Sequence, residues 1–138
     1  MTDLLGETTR KLKKALDLLE YSFNKIQKLP DDPEKLDAES LETWESFSSR
    51  FSRVVDLFLV RFLRTKVLQS DPGFQGSLRD FVDQAEKLGL ISDANRWMQI
   101  RGLRNLNAHE YNEENLKQFF LDLKTTTPEV LRVKSLLK

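Results

Sequence analysis

Leu5, Leu12, Leu16, Leu19, Phe23 and Ile26 step mostly by threes and fours, the spacing of one helix face, so a first amphipathic helix is expected over 2–29. Thr2 or Asp3 offers its N-cap. The following Leu29-Pro-Asp-Asp-Pro-Glu-Lys-Leu-Asp holds two prolines and several acids, which break the helix and predict an exposed acidic connection. A second helix is expected from Ser40 through Trp44, Phe47, Phe51, Val54, Phe58 and Phe62 toward Gln69. At about 1.5 Å per residue it spans roughly 40 Å and forms the spine. Aromatic residues at this spacing predict core rather than a cofactor site.

Asp71-Pro-Gly and Gly76 mark a turn. Ser77-Leu-Arg-Asp then has capping-box spacing for a third helix over 77–88, with Phe81, Ala85 and Leu88 as its stripe and Gly89 as C-cap. Ser92 or Asp93 caps a fourth, running to about Tyr111. A fifth is expected over 113–124, and Thr127-Pro128-Glu129 opens a last short one with proline at N1. No repeat, low-complexity tract or period-two strand interrupts this pattern. The expected fold is all-α: one domain over 1–138, an up-and-down antiparallel bundle of four to six helices whose long first two pair antiparallel.

Composition narrows the chemistry. The 138 residues include no cysteine and one histidine, His109, so disulfide, thiolate and Cys-zinc chemistry are excluded and no metal site or cofactor is expected. Lys plus Arg equals Asp plus Glu at 22 each, which offers nucleic acid or an anionic membrane no general attraction. The opening MTDLLGETTRKLKKALDLLEYSF carries lysines where a signal peptide needs an apolar stretch, and Leu57 to Val60 is the longest purely apolar run. A cytoplasmic location is expected.

The fourth helix gathers the polar groups of interest. With Arg101 at zero and ~100° per residue, Ile100, Leu103 and Leu106 fall at about 260°, 200° and 140° and define the core side. Arg101, Asn105 and His109 follow at about 0°, 40° and 80°, with Arg104, Ala108 and Tyr111 in a neighbouring row. Asn107 fits neither. Arg96, Arg101 and Arg104 meet no acid between Ala94 and Ala108, which predicts a local anion site with Arg101 and Arg104 as phosphate or nucleotide ligands. Arg104 and His109 lie roughly 140° apart, so a homodimer across this helix is expected to bring His109 of one chain to Arg104 of the other. Such a pair suits RNA cleavage by the 2′-hydroxyl: His109 as general base, Arg104 stabilising the phosphorane, Asn105 orienting. On residue types alone the plainer reading wins: a histidine favoured by a helix C-terminus, and solvated or ion-paired arginines.

Arg104-Asn-Leu-Asn-Ala-His109-Glu-Tyr111 resembles the Arg-x4-His-x-Tyr signature of the HEPN superfamily, in particular the HepT-like toxins and the related nucleotidyltransferase substrate-binding subunits. Ser77-Leu-Arg-Asp-Phe, Ala85-Glu-Lys-Leu-Gly-Leu-Ile, Trp97-Met98 and Tyr111-Asn-Glu-Glu resemble the flanks of those subunits, so the likeness covers 77–120 well. The first two helices match only in length and pattern. The resemblance implies a HEPN-like bundle that dimerises through the motif helix and a metal-independent endoribonuclease of a toxin–antitoxin pair. Arg104 and His109 would be its catalytic pair and Asn105 their polar neighbour. Tyr111 would be the hydroxyl adenylylated by a minimal nucleotidyltransferase (MntA-like) antitoxin, whose bulky anionic adduct would obstruct the cleft. The alternative is a non-catalytic subunit presenting nucleotide to a separate minimal nucleotidyltransferase, and a plain helical interaction module is a third possibility.

Overall fold

The computed structural model describes residues 3–104 and 113–137, with side chains for all of these except 104, 113 and 114. The first helix, α1 (Leu4–Ile26), starts where the Asp3 carboxylate accepts the Gly6 amide at 2.9 Å. Its inner face, with Leu12, Leu16, Leu19 and Ile26, is fully buried. The acidic connection is more than a solvated loop. It makes a 3-10 turn over Pro33–Lys35 capped by Asp32, packs Leu29 and Leu36 on the core, and presents the Pro30 carbonyl to the Trp44 indole N–H at 3.0 Å.

The second helix, α2 (Ala38–Asp56), begins two residues before Ser40, because Asp37 supplies the cap and accepts the Ser40 amide at 2.8 Å. It runs back along α1: the Arg50 guanidinium donates to the Ser22 hydroxyl at 2.7 Å and to the Leu18 carbonyl at 3.3 Å. The rod continues to Ser70, but not as one α-helix. Leu57–Leu63 is π-helical, and only Arg64–Ser70 (α3) returns to α geometry. The buried pairs Val54/Val55, Phe58/Leu59 and Phe62/Leu63 explain this, since they recur every four residues. At 3.6 residues per turn, such a repeat drifts by about 40° per step. The wider π turn removes the drift and keeps all three pairs on the core.

The capping box opens α4 (Leu78–Lys87) as expected: Ser77 Oγ accepts the Asp80 amide, and the Asp80 carboxylate accepts the Ser77 amide at 2.8 Å. These bonds, first from the Ser77 backbone and then from its hydroxyl, hold the Asp80 carboxyl below its ordinary value. Past the helix, Gly89 takes φ +77°, a left-handed turn that glycine adopts without strain. The chain then enters α5 (Ala94–Arg104).

The last long helix, α6 (Glu113–Leu131), departs from expectation, for Thr127-Pro128 opens no new helix and Pro128 lies inside this one. Its apolar face continues across the proline through Leu123, Thr127 and Val130, all buried. That burial, at about 1.5–3 kcal/mol for a large side chain, outweighs the missing N–H. A 3-10 segment, Arg132–Leu136, follows. The core joins the elements through rings: Trp44 stacks on Phe120 at 4.4 Å, and Phe58 meets Trp97 at 4.7 Å. The expected aromatic positions of the second helix are thus core, in an all-α bundle. Among the described residues no helix is long and apolar enough to cross a membrane.

Candidate functional site

Two helix ends aim α5. At its start the Asp93 carboxylate accepts the Arg96 amide at 3.0 Å, and Glu86 of α4 accepts the Ala94 amide at 2.6 Å. Arg79 of α4 also reaches across to the Asn95 side chain while pairing with Asp83. Trp97 and Ile100 then go into the core, and Leu103 is half-buried against it, as the helical wheel requires. Leu106, the third member of that arc, lies outside the described residues.

Of the expected anion-binding groups, Arg101 is the one whose side chain is described. It is partly exposed, yet its Nε is buried with no hydrogen-bond partner. An unmet buried donor costs roughly 1–3 kcal/mol, more when charged, so this N–H favours an acceptor brought from outside. Arg104 is the last described residue of α5; its side chain, together with Asn105, His109, Tyr111 and the expected continuation of the helix to about Tyr111, lies outside the described residues.

Arg96 is corrected. It is not an uncompensated cation, because its Nε donates to both carboxylate oxygens of Glu129 on α6, at 2.9 and 3.2 Å. Glu129 follows Arg96 by 33 positions and enters α5's surroundings only through packing. No spacing rule along the chain links the two. Glu129 also borders a cleft of about 550 Å³ between the α4–α5 turn and the C-terminal 3-10 segment, lined by Leu90, Ile91, Trp97, Arg132, Val133 and Leu136. This cleft had no sequence signal either. Among the described residues, no cluster of three or more His, Cys, Asp or Glu side chains could hold a metal ion.

A family model described as "Nucleotidyltransferase substrate binding protein like" matches residues 7–138. It therefore reaches α1 and α2, which the motif resemblance covered only in length and pattern. No curated protein and no solved structure matches the chain.

Proposed function

The chain belongs to the nucleotidyltransferase substrate-binding protein-like family, and from this premise we propose that it is the ligand-presenting subunit of a nucleotidyltransferase, holding a nucleotide phosphate with Arg101. The carrying observation is the buried Arg101 Nε that lacks an acceptor. A phosphate oxygen supplies one, and guanidinium geometry suits it. Arg104, next in the same helix, adds a second cation in this reading. The partner is a separately encoded minimal nucleotidyltransferase.

A second reading is favoured by the intact Arg104-x4-His109-x-Tyr111 sequence. Here the chain is a metal-independent endoribonuclease of a toxin–antitoxin pair, acting as a homodimer in which His109 takes the 2′-hydroxyl proton, Arg104 stabilises the phosphorane and Asn105 orients. Adenylylation of Tyr111 by the antitoxin silences it.

One preparation separates the two. Protein whose intact mass excludes modification at Tyr111 is titrated with AMP and incubated with RNA, beside Arg101→Ala and His109→Ala. The ligand-presenting reading expects AMP binding that Arg101→Ala weakens by about ten- to a hundredfold, the loss of one or more charged hydrogen bonds, with no RNA cleavage. Cleavage that disappears in His109→Ala transfers the assignment to the ribonuclease. Neither binding nor cleavage overturns both.

A further inference from the structure

The outer face of the α2–α3 rod carries a charge pattern that the neutral total conceals. Glu42 and Glu45 stand exposed in its first half, and Arg53 and Arg61 in its second. None of these four has an ionic partner among the described residues. The π segment is what aligns the second half. A strict four-residue repeat sends Phe58/Leu59 and Phe62/Leu63 inward, so Val60 and Arg61 between them emerge together in line with Arg53. Had the rod stayed α-helical, the eight residues from Arg53 to Arg61 would have turned it by about 80°.

Exposed apolar groups lie on and beside this face. Six large hydrophobic residues are markedly exposed among those described; Val60 (39%) lies on the rod, and Leu18 (39%) and Tyr21 (61%) lie on α1 beside it. Leu18 and Tyr21 flank Arg50, through the Leu18 carbonyl and a guanidinium 5.9 Å from the Tyr21 ring centre. Between the two helices, a 290 Å³ cleft is lined by Tyr21, Glu39, Glu42, Ser46, Arg50 and Lys25. It opens on the acidic half and has room for a long side chain. The rod meets the described part of α5 through Phe58 and Trp97, and α6 through Trp44 and Phe120, on its buried side.

We infer that this face is an interface with a second copy of the same chain, the two rods antiparallel about a two-fold axis. That arrangement sets the acidic half of each copy, Glu42 and Glu45, against the basic half of the other, Arg53 and Arg61. The exposed Leu18, Tyr21 and Val60 are then covered by the same contact. A strip whose charge reverses sign along its length is complementary to itself under a two-fold rotation, and the contact closes rather than propagating. The same pattern disfavours nucleic acid: the acidic half repels phosphates, and Lys25 and Arg50 already lie against the Tyr21 ring, at 5.8 and 5.9 Å.

Reciprocal charge reversal tests it. Sedimentation velocity is run on the full chain, on Arg53→Glu/Arg61→Glu, on Glu42→Arg/Glu45→Arg, and on an equimolar mixture of the two variants, with circular dichroism confirming that each folds. The expected result is that each variant alone has half the mass of the wild type and that the mixture regains it. High salt lowers the wild-type mass toward that of the variants. Regain on mixing cannot come from misfolded protein, and it is unaffected by any dimer through α5, which both variants retain. Equal mass for wild type and both variants, or failure of the mixture to regain mass, overturns the interface. Loss of RNA retention by the arginine variant without a change in mass overturns it in favour of a nucleic-acid surface.

Discussion

Trp44 shows what one residue does here. Its indole is fully buried, stacks on Phe120 of α6 and donates to the Pro30 carbonyl, so one side chain ties three segments together. Trp44→Phe keeps most of the apolar contact but leaves that carbonyl without its donor. It is expected to lower unfolding free energy by about 1–3 kcal/mol in urea denaturation. Periodicity alone puts Trp44 in the core, whereas its hydrogen bond joins positions 14 apart across a loop and has no local signature. Arg96 repeats the lesson with charge, because the nearest acid along the chain is not the nearest acid in space.

Elements differ in how locally they are specified. The start of α4 was legible because Ser77 and Asp80 satisfy each other within one turn. Asp80 is held below its ordinary pKa in the folded chain, so its contribution is present above the unfolded value of 3.8 and is lost as pH falls through the folded one. The same sign holds for Asp37 at the start of α2, lowered first by the Ser40 amide and then by its hydroxyl. Acid is therefore expected to loosen both helix starts. In Ser77→Ala, NMR titration should find the Asp80 carboxyl returning toward its ordinary value; an unmoved titration would contradict the cap. Elsewhere local rules misled. Asp37, rather than Ser40, begins α2, because its carboxylate reaches the Ser40 amide from three residues upstream. The π segment and the helix through Pro128 arise because burial of Phe58, Phe62 and Val130 outweighs ideal backbone geometry.

At the scale of the molecule, sequence-distant charges fasten the chain's end. Lys134, in the C-terminal 3-10 segment, meets Asp17 and Glu20 of α1, both at 3.1 Å. Burial pulls its pKa down, but hydrogen bonds and charge from Glu20 and Asp17 outweigh this and leave it raised. A raised cation stabilises fully below its unfolded value of 10.5 and loses that contribution as pH climbs through the folded one. The three side chains are substantially exposed, so the fastening is worth no more than about 1 kcal/mol. Lys134→Met is accordingly expected to speed amide hydrogen exchange in the last segment while leaving the α2 core unchanged. Charge is also unevenly spread along the rod, where the chain's equal totals of acid and base hide exposed acids near the start and exposed arginines farther on.

The sequence by itself determined the helical class, the buried stripe of each long helix, the capping box at Ser77 and, through the family signature, the interest of α5; it narrowed the first cap to Thr2 or Asp3. These depend on neighbours within a turn or two, where a 3.6-residue period and a side chain's reach are enough to decide the outcome. Only the tertiary structure decided that Glu129 neutralises Arg96, that Arg101 keeps a buried N–H without an acceptor, and that the spine unwinds into a π turn. Each depends on which surfaces meet after the chain has folded back on itself. Desolvation and ion pairing act through space, so distance along the chain does not predict them.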